Sequence, residues 1–164
     1  MKFLPLWVAC LLLVSCDDAG KDEIYNENNT NVSGGVVYNI DDQPINGLYR
    51  VYYSDGEIKM EVQSKNGKPD GIGKFYNEEG DLLYLGNFSA GLPNGAFYNY
   101  YDNEQVHNEM NYVNGLKDGA QRVFDEEGNL LVEVIFKNGQ PVSGYAIVND
   151  EKVPLSEDEL SELK

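Results

Sequence analysis

Residues 47–70 read GLYRVYYSDGEIKMEVQSKNGKPD, and three stretches of the same length follow: GIGKFYNEEGDLLYLGNFSAGLPN (71–94), GAFYNYYDNEQVHNEMNYVNGLKD (95–118) and GAQRVFDEEGNLLVEVIFKNGQPV (119–142). Gly47, Gly71, Gly95 and Gly119 open them at intervals of 24 residues. Gly67, Gly91, Gly115 and Gly139 keep the same interval, as do Tyr52, Tyr76, Tyr100 and Phe124, and Ile58, Leu82, Val106 and Leu130. A further glycine column, Gly56, Gly80 and Gly128, is broken by Glu104. Self-similarity at a fixed period marks a repeat architecture.

Each unit has a local logic. A first strand is rich in Tyr, Phe and Val, and a turn follows at Asp55-Gly56, Glu78-Glu79-Gly80 or Glu126-Glu127-Gly128. Glycine supplies the positive φ such turns need. The second strand alternates, with Ile58, Met60 and Val62 on one side and Lys59, Glu61 and Gln63 on the other. Period two predicts a half-buried antiparallel strand. A second turn comes at Asn66-Gly67, Ala90-Gly91, Asn114-Gly115 and Asn138-Gly139, with Pro69, Pro93 and Pro141 just beyond. Proline lacks a ladder donor and suits such connections.

One hairpin is marginal alone, so the units must stack. The expected fold is all-β: tandem antiparallel β-hairpins with a 24-residue period in an elongated sheet, closed by a short C-terminal helix. The repeat domain is placed at residues 36–150, with units starting at 47, 71, 95, 119 and, one residue late, 144. Residues 151–164 are assigned to the helix. Ser156 is its expected N-cap, Glu159 completes a capping box, and Leu155 with Leu160 forms a staple.

The N-terminus reads differently. Residues 3–14 (FLPLWVACLLLV) are apolar behind the single Lys2. About twenty residues are needed to span a bilayer as a helix, so this run fits the core of a signal peptide. Leu13-Val14-Ser15-Cys16 resembles a lipobox, which implies a lipoprotein signal peptide over residues 1–15 and acylation of Cys16. A buried N-terminal element and an ordinary unlipidated signal are the alternatives. Cys10 and Trp7 would leave with the signal, so no thiol remains for a disulfide or zinc site. Residues 16–35 are acidic, Asn-rich and poor in apolar side chains, which predicts a flexible tether.

The units resemble MORN repeats, in the bacterial variant running roughly G-x-x-x-x-Y-Y-x-x-G-x-[ILV]-x-x-E-x-x-[YF]-x-N-G-x-x-x-G. Here Gly47, Tyr52, Tyr53, Gly56, Ile58, Glu61, Asn66, Gly67 and Gly71 carry that pattern, with losses at Asn77, Leu85 and Glu104 in later units. The resemblance covers about residues 47–144. It implies a repetitive antiparallel sheet used for binding, and no catalytic residues. Many such bacterial proteins carry a toxin–antitoxin label, as antitoxins of the YwqK family.

No enzyme chemistry is expected. His107 is the only histidine, so neither a zinc site nor a serine triad assembles around it. Carboxylate pairs such as Glu78-Glu79 fall in predicted turns, and the glycines sit at repeat turns rather than in a phosphate loop. No metal or cofactor is expected. With Lys2 removed, the chain from Cys16 has 28 acidic and 11 basic side chains, a net charge of −17. Nucleic acid is therefore not an expected partner. Most tyrosines are expected in a stacked core, while Tyr53, Tyr98 and Tyr101 are candidates for an exposed strip that meets a partner. The reading is a non-catalytic binding or scaffold protein, lipid-anchored on the extracytoplasmic side of a bacterial membrane and engaging an envelope protein. An antitoxin or immunity-like protein and a cell-wall glycan-binding module are the alternatives.

Overall fold

A computed structural model describes residues 24–163. The strands in chain order are β1 (Ile24–Asn26), β2 (Thr30–Ser33), β3 (Val36–Asn39), β4 (Gly47–Tyr52), β5 (Ile58–Lys65), β6 (Lys68–Tyr76) and β7 (Leu82–Ser89). They continue as β8 (Leu92–Tyr100), β9 (Val106–Val113), β10 (Leu116–Lys117), β11 (Gly119–Phe124), β12 (Leu130–Lys137), β13 (Gln140–Val148) and β14 (Glu151–Pro154), and helix α1 is Glu157–Ser161. One 12-stranded sheet runs in nearly sequential order from β1 and β4 through to β14, and β2 pairs with β3 in a separate hairpin. The all-β hairpin array predicted from the 24-residue period is the fold observed.

The turns show why the period is fixed. Asn66 and Gly67 have φ values of 52° and 72°, and the pairs at 90–91, 114–115 and 138–139 repeat this. Two successive positive values make a type I′ turn, whose twist matches that of the flanking strands. Each of these glycines also reaches back one unit. The N–H groups of Gly67, Gly91, Gly115 and Gly139 donate to the carbonyls of Ile45, Pro69, Pro93 and Lys117, each at 2.8 Å. A second bond accompanies each: the N–H of Asn66, Ala90, Asn114 or Asn138 donates to the side-chain oxygen of Asn46, Asp70, Asn94 or Asp118, at 2.9–3.1 Å. Every second turn is thus pinned to the two residues just before its own unit's opening glycine. Glu104, which breaks the glycine column, still adopts φ 64°.

Strand register sorts the side chains onto two faces. Tyr49, Val62, Gly73, Gly86 and Phe97 form a cross-strand row on one of them. This aromatic face holds Phe88, Phe97 and Tyr112 in successive edge-to-face contacts, with ring centroids 5.2 and 5.0 Å apart. Such contacts add about 0.5–1.5 kcal/mol each beyond burial. Gly73 and Gly86 pair across β6 and β7. What they supply is room: a Cβ on Gly73 would lie 2.8 Å from the Phe88 ring, and one on Gly86 2.2 Å from the Phe97 ring. Among the described residues the buried apolar side chains are Tyr25, Ile45, Val62, Val134 and Phe136.

Three boundaries differ from the sequence expectation. The tether expected through residue 35 ends sooner, because β1 adds to β4 as a parallel strand and β2 and β3 close a hairpin over Gly34-Gly35. Strand addition is driven by backbone bonds that an apolar count overlooks, and the Gly-Gly turn has φ 58° and 75°. Tyr25 is also buried there. At the other end the sheet runs past residue 150, since β14 occupies part of the segment assigned to the helix. The helix is only the five residues of α1, packed against β13, with the expected Ser156–Glu159 capping box formed. Residues 1–23, including the signal segment, Cys16 and the first part of the tether, lie outside the described residues.

The seating of Phe97 on Gly86 is testable. Gly86→Ala forces the ring away and is expected to cost about 1–3 kcal/mol. Thermal unfolding followed by circular dichroism measures it, and an unchanged midpoint would show that the ring does not rest there.

Candidate functional site

The face opposite the ring stack carries the charges. A single cross-strand row runs Arg50, Glu61, Lys74, Leu85, Tyr98, Glu109, Arg122, Glu133 and Tyr145. Opposite charges stand directly across from one another wherever they meet, the arrangement that stabilises antiparallel pairs. Arg50 and Lys74 contact Glu61 at 3.2 and 3.3 Å. Arg122 contacts Glu133 at 2.5 Å and also bonds Glu109. Burial pushes the Glu61 carboxyl up, but hydrogen bonds and charge from Lys74 and Arg50 outweigh it, so its pKa lies below the ordinary 4.5. The Tyr76 hydroxyl lies 3.3 Å from Glu61. Its own pKa is raised, by burial and then by that carboxylate.

The charged row lines two concavities. One, of about 320 Å³, is formed by Leu48, Arg50, Glu61, Gln63, Ile72 and Lys74. The other, of about 400 Å³, includes Ala96, Tyr98, Glu109, Asn111, Ala120 and Arg122. Each residue of the first has its counterpart in the second 48 residues later. The two hollows are therefore the same feature repeated after two units, four strands and about 19 Å apart. Their shared elements are a carboxylate on the floor, a cation that is 43% or 41% exposed (Lys74, Arg122), and one small or apolar side chain at each end.

Of the three tyrosines singled out from the sequence, Tyr98 stands in the charged row, while Tyr53 and Tyr101 follow the ends of β4 and β8; none is exposed, and each is half-buried. The Tyr53 hydroxyl donates to the Tyr76 carbonyl at 2.7 Å, and the Tyr101 hydroxyl to that of Phe124 at 2.8 Å. These two rings join neighbouring units. Lys59 lies over the Tyr53 ring, and His107, in the equivalent position, stacks on Tyr101 with centroids 4.4 Å apart. Tyr98 lines the second of the two hollows, and Tyr101 lines a separate concavity of about 280 Å³ with Tyr100, Asp102, Asn103 and Glu126. Sequence reasoning missed Arg50, Lys74 and Arg122, whose signal was the run of opposite charges at cross-strand positions. Among the described residues no three His, Cys, Asp or Glu side chains gather as metal ligands.

The ion ladder makes stability depend on pH. Glu61 has a lowered folded pKa, so its contribution is present above the unfolded value and is lost as the pH falls through the folded one. Glu61→Gln is expected to lower the urea midpoint at pH 7 by an amount equivalent to about 1 kcal/mol, modest because Lys74 is 43% exposed. The gap between the two proteins should close as the pH drops below 4.5. A gap that stays constant with pH would mean the ion pairs are not its source.

No curated protein matches the chain. The family model described as MORN repeat variant matches residues 45–66, 69–90, 93–114 and 117–138, together more than half of the chain. Each match begins on the residue whose carbonyl receives the turn glycine that follows that match: Ile45, Pro69, Pro93 and Lys117. The unit defined by the family is thus the unit closed by that hydrogen bond, and the chain belongs to the MORN repeat variant family.

Proposed function

We propose that this protein is a non-catalytic binding scaffold, held at a bacterial envelope membrane by a lipid on Cys16, whose charged sheet face docks a protein partner. The observation that carries the reading is the pair of equivalent concavities on that face. Two like sites about 19 Å apart on one rigid sheet suit a partner that engages both at once, which multiplies affinity without new contacts. The floor carboxylates are already paired with Arg or Lys, so a partner need not neutralise them. Tyr98 and Ile72 add contact area, Ile72 being 52% exposed. The N-terminal anchor rests on the lipobox-like Leu13-Val14-Ser15-Cys16.

An immunity-like role against a basic exported toxin is a second reading, favoured by the edge that bears the first turns. Its four turns, at 54–57, 77–81, 102–105 and 125–129, carry two, three, two and three carboxylates. That edge would steer a cationic protein.

Two measurements test the main reading. A benzophenone amino acid in place of Tyr98 is expected to give a discrete crosslinked protein in intact envelopes, lost when Ile72→Glu and Ala120→Glu block the two hollows. The same group in place of Tyr84, on the aromatic face, should give none. Equal products from both positions would overturn the docking face. Palmitate labelling should vanish in Cys16→Ala, and persistence of the label would refute the anchor.

A further inference from the structure

The ring stack on the aromatic face stops before the sheet does. Phe88, Phe97 and Tyr112 fill the space over β7, β8 and β9. In the last unit the position 24 residues after Phe97 is Gln121, and beside it stand Val123, Val132 and Val134. These smaller side chains leave a hollow of about 240 Å³, walled also by Phe136, Lys117 and Leu163. Leu163 arrives just after α1, so the C-terminal turn forms one side of the space.

Lys117 gives this hollow a chemical character. Its ammonium donates to Gln121 Oε1 at 2.9 Å and lies 4.7 Å from the Phe136 ring centroid. The neighbouring carboxylate, Asp118, is engaged by Lys137 and by the Asn138 N–H. No ion pair among the described residues includes Lys117. Burial draws its pKa down, as expected for a desolvated cation. We propose that the hollow binds a small apolar carboxylate of the medium-chain fatty-acid class. The chain lies against Val132, Val134 and Phe136 in the place a ring occupies one unit earlier, and the carboxylate accepts from Lys117 Nζ. A charge-assisted bond in a partly dry site is among the stronger polar contacts. The walls offer only Lys117 and Gln121 as polar side chains, so the hydroxyls of a sugar would go unpaired. The volume falls below the roughly 300 Å³ at which drug-sized pockets begin, which limits the chain length. This site is on the opposite side of the sheet from the docking face and stands or falls independently of it.

The test is titration of the full-length chain with carboxyl-labelled octanoate, observed by carbon NMR. Saturable binding is expected, weakened about tenfold or more in Lys117→Met, which keeps an apolar stem but removes the charge. Octanol, with the same chain and no carboxylate, should bind weaker by a similar factor. Gln121→Phe places in the last unit the ring that Phe97 places in the one before. It is expected to abolish octanoate binding in protein that circular dichroism shows to be folded, with a lowered melting midpoint because Met110 stands where Gly86 makes room for Phe97. The proposal is overturned if the wild-type chain shows no saturable binding, if Lys117→Met binds as wild type, or if octanoate still binds once Phe fills position 121.

Discussion

The hydrogen bond from each second-turn glycine to the residue two before its own unit's opening glycine is the constraint on which the molecule depends. Among the described residues no second layer packs over the length of the 12-stranded sheet to bury its faces. Its apolar side chains are mostly half-buried, and fully buried ones are few among the described residues. Order must then come from contacts between neighbouring strands and neighbouring turns, the nearest-neighbour energetics of repeat proteins. The 2.8 Å bonds at Gly67, Gly91, Gly115 and Gly139 fix where each turn sits, and with it which face every later side chain takes. A slip of one residue would send the rings to the charged side.

Within that frame the units are not equivalent, and they join in two different ways. The Tyr53 and Tyr101 hydroxyls tie the first unit to the second and the third to the fourth. The matching positions in the second and fourth units are Asn77 and Asp125, whose side chains cap their own turns at 2.7 Å. The joint between the second and third units therefore lacks a tyrosine tie. It has instead the Phe88–Phe97 contact, continued to Tyr112. A doublet period of 48 residues thus lies over the 24-residue one, and the paired concavities on the charged face are its outward expression.

Much of this was legible in the residues. Repeated Gly and aromatic columns led to hairpins, and Asn66-Gly67 and its equivalents led to a second turn in each unit, because those features impose local backbone demands. The Asn46, Asp70, Asn94 and Asp118 column is just as regular, but two residue types alternate in it, and each reads alone as ordinary turn chemistry. Gly73 and Gly86 do not recur at all; their reason is the rings lying over them. The order in residues 24–35 was hidden because a strand added at an edge needs backbone groups more than apolar side chains. Of the three tyrosines singled out as an exposed strip, none is exposed, and two have hydroxyls that serve the fold.

The same economy explains how one thin sheet keeps its two faces separate in chemistry. Along a strand, neighbouring side chains point to opposite sides, so Glu61 and Val62, or Glu133 and Val134, are adjacent in sequence yet never share an environment. Charges gathered in one cross-strand row neutralise each other and leave that face polar but not strongly anionic. The excess acid is pushed out to the first turns, where water solvates it. The other face is free to be apolar, and its texture follows side-chain size: rings where glycines make room for them, a hollow where Gln121 and three valines do not fill the space. Variation at single positions of a repeat can therefore create a local cavity without disturbing the ladder, since the backbone bonds that hold the units in step do not involve those side chains.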